Sequence, residues 1–205
     1  VANVREAAER VGRNPREILA FNLQTVILGE TDAEAQRKFN EYRQYASFEG
    51  AQTLISGWTG IDFGQAAADE VLRHRHTNAV QSAVETFTTI DPNKEWTVRE
   101  MADWVGIGGF GPVFVGSPQT VADLMQEWIE DTDVDGFNLA YAVTPESFED
   151  AVDLLVPELQ KRGVYKTDYR SGTLREKLGG NGPRLVAPHP ATGYRNLRDA
   201  VARAS

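Results

Sequence analysis

The sequence predicts an α/β fold with parallel strands buried beneath helices, and three observations carry that prediction. The order helix, strand, helix occurs twice; the first strand candidate is almost continuously apolar, as a strand covered on both faces must be; and helix caps punctuate both units. Two such units are too few for a doubly wound sheet or a closed barrel, so further strands are expected upstream.

Val4, Ala7, Ala8 and Val11 recur at helical spacing ahead of Gly12, so the chain opens in an amphipathic helix. Between Pro15 and Gly29, the residues Ile18, Leu19, Phe21, Leu23, Val26, Ile27 and Leu28 predict a buried strand over Ile18–Leu28. Thr31-Asp32-Ala33-Glu34 has the form of a capping box, and Ala35, Phe39, Tyr42 and Tyr45 then mark one helical face. From about 47 to 111 the pattern is that of an insertion with helices and loops. Ser56-Gly57-Trp58-Thr59-Gly60 predicts a turn-rich stretch, Ala66 to Ala83 is rich in helix formers, and Thr97-Val98-Arg99-Glu100 is a second capping box.

Ser117-Pro118 is an N-cap with a first-turn proline, and Val121, Leu124, Met125, Trp128 and Ile129 follow on one face. Alternation of Phe137, Leu139, Tyr141 and Val143 predicts a strand over Val134–Val143. Thr144-Pro145 is expected to cap the next helix, which carries Phe148, Val152, Leu155 and Leu159, bends at Pro157 and stops at Gly163. This gives a domain over 1–163, followed by a basic arm over 164–205.

The 205 residues are 41% apolar and 25% charged with a net charge of -9, an ordinary globular composition that disfavours a general nucleic-acid binder. The absence of cysteine excludes disulfides, thiolate metal sites and thiol nucleophiles, and is compatible with a cytoplasmic location. The longest apolar runs are about ten residues, half of a membrane span, and no signal-peptide pattern opens the chain, so a soluble, membrane-free protein is expected. Residues 161–205 hold ten Lys or Arg and three Asp or Glu, a net +7, so the remainder carries -16. Such a tail is expected to pack on its own acidic body or on a sister subunit rather than on RNA or an anionic ligand.

His74 and His76 point to different sides of a helix and predict no metal site. Gly106, Gly108, Gly109 and Gly111 lack the Lys-Ser/Thr ending of a phosphate loop, so close packing or a hinge is the expected role. Trp58, an aromatic between glycines, either walls an apolar pocket or anchors a long loop. Asn138, among apolar strand residues, either hydrogen-bonds a ligand at a barrel mouth or satisfies neighbouring backbone. No catalytic group is identifiable from the residues themselves.

Gly111-Pro112-Val113-Phe114-Val115-Gly116-Ser117-Pro118-Gln119-Thr120-Val121-Ala122-Asp123, followed by Asp133-Val134-Asp135-Gly136-Phe137-Asn138-Leu139, resembles flavin-dependent monooxygenases of the bacterial luciferase-like superfamily. The closer likeness is to the nitrilotriacetate, dibenzothiophene-sulfone and long-chain alkane monooxygenase group. Val156 to Gly163, Tyr165 to Tyr169 and Gly172 to Gly179 continue it in order, over most of residues 16–180.

The resemblance implies the C-terminal part of a TIM barrel, with Ile18–Leu28 and Val134–Val143 as its last two strands and the 47–111 insertion closing a substrate pocket over the barrel mouth. It implies reduced FMN delivered by a separate flavin reductase, oxygen, a small organic substrate and a flavin C4a-peroxide. Homo-oligomerisation or a complementing N-terminal half completes the expected partners. Trp58, Thr59, Trp96, Trp104, Phe110 and Asn138 become the substrate-pocket candidates. Some relatives carry His where Trp58 stands, and an indole cannot take up a proton, so a steric or stacking role follows there. The family's FMN phosphate segment does not occur in this sequence, so the chain resembles a C-terminal half.

Overall fold

The computed structural model describes residues 1–179, 182–187 and 189–194. The chain divides into two compact units, Val1–Tyr165 and Lys166–Ser205.

In the first unit, helix α1 (Ala2–Arg10) leads through a 3-10 turn (Pro15–Glu17) to strand β1 (Phe21–Leu28) and helix α2 (Asp32–Arg43). Helices α3 (Phe48–Thr59), α4 (Gln81–Thr88) and α5 (Val98–Gly108) form the insertion. Strand β2 (Val113–Gly116), helix α6 (Pro118–Thr132) and strand β3 (Gly136–Ala140) follow, and a continuous helical segment runs through α7 (Glu146–Asp150), a π turn (Ala151–Leu155) and α8 (Val156–Lys161).

The sheet is parallel with the order β2-β1-β3. It has three strands where about two were expected, because the four-residue β2 is too short to show a period in sequence. β1 and β3 are neighbours, paired from Phe21↔Gly136 to Thr25↔Ala140, while β2 lies along the other edge of β1 from Thr25↔Val113 to Leu28↔Gly116. One face of the sheet carries Val26, Leu28 and Phe114, packed on Val121, Ala122 and Met125 of α6 and on Ala151 and Leu155. This is the apolar burial that the run in β1 and the stripe in α6 predict.

Both strands are shorter than expected, and hydrogen bonding explains each end. The Ile18 N–H donates to Pro15 O inside the 3-10 turn. After β3, the Ala142 and Val143 N–H groups donate to Ser147 Oγ at 3.2 and 3.1 Å, so the chain leaves the ladder. Thr144 does not cap the next helix, whose N-cap is Pro145 with no side-chain bond. Pro157 falls in the first turn of α8, directly after the π turn, so the residue without an N–H stands where the helix changes its hydrogen-bond register.

Two corrections concern the insertion. Ser56–Thr59 is the last turn of α3 rather than a turn-rich stretch, because Ala51, Ile55 and Thr59 form a buried helical face and only Gly60, at φ +67°, ends the helix. Most of Ala66–Ala83 is not helical. Leu72 N–H donates to Trp96 O, Val98 N–H to Glu70 O and Arg99 N–H to Ala68 O, so residues 68–72 pair with the chain at 96–99 rather than forming a helical ladder.

The second capping box is complete, with Thr97 and Glu100 each accepting from the other's N–H. The first is half formed: Thr31 Oγ1 accepts from Glu34 N–H, while Glu34 accepts from Glu30 N–H. At the start of the sheet, Arg5 donates to Pro15 O, Ile18 O, Asp133 O and Asp135 Oδ2, tying α1 to the entries of β1 and β3. At the end of α8, Lys161 pairs with Glu158, and Arg162 with Glu158 and Asp123, all within the first unit.

In the second unit, Thr173 and Glu176 cap the short helix α9 (Leu174–Gly179), and Lys166 Nζ lies 4.6 Å from the ring centroid of Tyr169. Pro188 and the arm's final basic residues from 195 onward lie outside the described residues. Among the described residues, no helix is long and apolar enough to cross a membrane.

Candidate functional site

The side of the sheet opposite α6 is open at its first half. By the two-residue period of strands, Phe21 and Leu23 share that face, at 48% and 43% exposure, and the Phe21 ring lies over Gly136. Asn138, opposite Leu23 in register, is exposed at the middle of β3. Parallel sheets are ordinarily covered on both faces, whereas this patch is exposed.

The insertion rejoins the sheet beside that patch. At Gly111 a Cβ would lie 2.6 Å from Leu23 O, so only glycine lets the chain pass there. The next carbonyl, of Pro112, accepts from Thr25 N–H at 3.3 Å and from the buried side-chain amide of Gln24 at 2.9 Å. The strap formed by residues 109–112 is therefore pinned along the middle of β1, ahead of the C-terminal end of the strand at Leu28.

Phe110 sits on this strap, and its ring centroid is 4.1 Å from that of Trp58 at the end of α3. Trp96 joins a second aromatic group, edge-on to Phe87 at 5.2 Å and to Trp104 at 5.7 Å, with Lys94 Nζ 3.4 Å above its ring. Trp58, Trp96 and Phe110 all pack against the insertion core of Ile55, Phe87, Val98, Met101 and Val105. Thr59 is buried: its hydroxyl donates to Ile55 O and accepts from Ile61 N–H.

Trp104 differs in being exposed. It lines an open groove of about 360 Å³ together with Phe39, Ile107, Pro112 and Val113, bordered by the Arg43–Asp103 ion pair at 3.4 Å. Glu100, also at this groove, is held below the usual carboxylate range, chiefly by the hydrogen bond from Thr97 N–H, and stays engaged in its capping box. A smaller cavity of about 40 Å³ lies among Ile55, Thr59, Phe63, Leu72, Phe87 and Met101.

None of the six pocket candidates titrates near neutral pH. What such side chains can offer a ligand is shape, stacking and exclusion of water rather than proton transfer. The structure joins Trp58 to Phe110 and Trp96 to Trp104, and places Asn138 on the open sheet face. Gln24 and the close contact of Gly111 with Leu23 were not singled out in sequence. The available signal was a polar residue inside a buried apolar run.

The glycine run does not fit a phosphate. Gly109 N–H donates to Val105 O and Gly111 N–H to Gly108 O, while a Cβ on Gly108 would meet Val113 at 2.7 Å. Its role is close packing, as expected. His74 Nε2 lies 3.2 Å from Gln81 Nε2, and no acidic or histidine cluster able to hold a metal occurs among the described residues.

No family model matches the sequence. The chain is 46% identical over 195 residues to the dimethyl-sulfide monooxygenase of Hyphomicrobium sulfonivorans, covering 95% of this chain and 41% of that protein. It is 37% identical over 202 residues to the long-chain alkane monooxygenase of Geobacillus thermodenitrificans, covering 98% and 42%. The crystal structure of DmoA from Hyphomicrobium sulfonivorans matches with a TM-score of 0.79 at 43% identity, over 100% of this chain and 44% of its own. A riboflavin lyase solved with modified FMN and riboflavin matches with a TM-score of 0.79 at 32% identity, over 93% and 42%. The chain thus spans about two fifths of the length of these relatives.

Proposed function

Because the chain is homologous to the C-terminal halves of luciferase-like monooxygenases, we propose that it is the C-terminal portion of a flavin-dependent monooxygenase that oxygenates a small organic compound. The single observation that carries this reading is the 46% identity to a monooxygenase across nearly the whole chain. In this reading the enzyme works as a two-component system, using reduced FMN delivered by a separate reductase. When bound, the flavin supplies the chemistry with oxygen.

Because the glycine run is closed by its own packing, this reading assigns the residues that hold the FMN phosphate to the part of the relatives that this chain does not span. What this segment contributes is apolar wall and water exclusion. Trp58 and Phe110 form one stacked wall, Trp104 lines a groove of ligand size, and Asn138 offers an amide for orienting a polar group. The open patch of Phe21, Leu23 and Asn138 supports a covering partner, and the remaining strands of a barrel are the cover that a parallel sheet requires. The basic arm from 164 onward is proposed as a subunit clasp.

A second reading, a non-catalytic interaction fragment, draws on the same open face. One experiment separates the two. The protein carrying this segment, supplied with FMN and a flavin reductase, is expected to show oxygen uptake that depends on an organic sulfide or alkane and yields an oxygenated product. Uptake that ignores the organic compound overturns the monooxygenase reading.

A further inference from the structure

We infer that Gln24 is a positioning residue that holds the 109–112 strap on β1 and, through it, the Trp58–Phe110 wall. Its side chain is fully buried in the central strand, a costly place for an amide unless every polar atom is satisfied. Both Nε2 hydrogens are used, one on Thr25 O at 3.0 Å and one on Pro112 O at 2.9 Å, and Oε1 accepts from Asn22 Nδ2 at 3.2 Å.

Proline has no N–H, so at Pro112 the carbonyl is the sole backbone polar handle, and two donors from β1 converge on it: Thr25 N and Gln24 Nε2. One residue earlier, Gly111 lies against Leu23 O. One residue before that, Phe110 stacks on Trp58, whose ring edge would lie 3.8 Å from a Cβ on Gly109, at φ +61°. A two-bond anchor, a close approach and a stacked pair thus occupy consecutive positions. A strap pinned at Pro112 cannot slide without separating the aromatic pair.

The test uses the chain labelled with 5-fluorotryptophan, whose four resonances report Trp58, Trp96, Trp104 and Trp128 separately, Trp58 being assigned by Trp58→Phe. Gln24→Met keeps side-chain length and burial and removes both donors. The expected result is a shifted, broadened Trp58 resonance with Trp96 unmoved. Gly111→Ala displaces the same strap while leaving Gln24 in place, and is expected to move Trp58 likewise. In the unaltered chain, slow solvent exchange of the Gln24 side-chain amide is expected, which decides the matter even where Gln24→Met does not fold. Fast exchange of that amide overturns the inference, as does an unmoved Trp58 resonance in either folded variant or an equal displacement of all four resonances.

The consequence for substrate rests on the monooxygenase reading. In the protein carrying this segment, Gln24→Met is expected to raise the KM for the organic substrate roughly fivefold, the size of one lost hydrogen bond, with kcat nearly unchanged. A fall in kcat at constant KM overturns that consequence. A wild-type protein without oxygenase activity overturns the functional reading instead, and the fluorine spectra still decide the role of Gln24.

Discussion

The ammonium group of Lys38 lies 2.7 Å from Asp150 Oδ2, joining α2, the helix after β1, to α7, the helix after β3. Glu146 Oε1 stands 3.1 Å from the same nitrogen, and Lys38 and Asp150 are both largely buried. One cation therefore holds two carboxylates together at the junction of successive helices.

Lys38→Met should leave those carboxylates facing each other without a counterion. The expected loss is about 1–3 kcal/mol of stability, read from urea unfolding at neutral pH. Burial by itself would lower the Lys38 pKa, but the hydrogen bonds to Asp150 and Glu146 outweigh it and raise the value. The stabilisation is thus complete below the ordinary lysine value of 10.5 and fades as pH rises through the higher folded value. The gap between wild type and Lys38→Met should narrow only in that alkaline range.

Tyr42 borders the same cluster. Burial, and then its hydrogen bond with Glu146, push its pKa up to about 12. A spectrophotometric titration at 295 nm should show a late tyrosine ionisation, and Tyr42→Phe should remove that late step. Because the folded value is raised, this contribution to stability is present below about pH 10 and lost as pH climbs towards 12.

Asp133 behaves in the opposite sense. The hydrogen bond from Arg16 is the main cause that holds its carboxyl below the ordinary value of 3.8, with Arg5 adding to it. Its stabilisation is complete above about pH 4 and disappears as pH falls through the lowered folded value. Asp133→Asn should therefore flatten the loss of Tm between about pH 4 and 2. Arg5→Ala should cost about 2 kcal/mol or more near neutrality, because four hydrogen bonds to the strand entries vanish together.

Two glycines give a paired prediction. Gly111→Ala sets a methyl 2.6 Å from Leu23 O and should destabilise by about 1–3 kcal/mol. Gly57→Ala, inside α3 with open space around it, should stabilise by about 0.5–1 kcal/mol. Thermal melts of the two variants should move in opposite directions.

The parts of the fold legible in sequence were those whose signal is local. The apolar run Val26 to Leu28, at the end of the predicted strand, and the stripe from Val121 to Trp128 announced β1 and α6, because burial writes itself into apolar spacing. Ser117 and Thr97 marked helix starts, because a cap is a bond between near neighbours. Tertiary pairing was not legible. Residues 68–72 carry good helix formers, yet their carbonyl and amide groups bond to 96–99, a choice that depends on chain some 25 residues away.

The same division holds at the site. Trp58 stood out as an aromatic between glycines and Phe110 entered through the family resemblance, and the structure joins them. The bond from Gln24 to Pro112, which spans 88 positions, was not legible, and its one local sign was an amide inside a buried strand. Asn138 was noticed for the same reason, yet it lies on the open face, where burial in this segment does not satisfy it.

We propose that this segment supplies the aromatic wall of a flavin monooxygenase while the FMN phosphate is held elsewhere. A titration of the 205-residue chain with oxidised and then reduced FMN, followed by flavin fluorescence and absorbance, tests it most directly. No saturable change is expected with either form. Saturable one-to-one binding in the micromolar range would contradict it, because the flavin site would then be assembled from the residues of this chain alone.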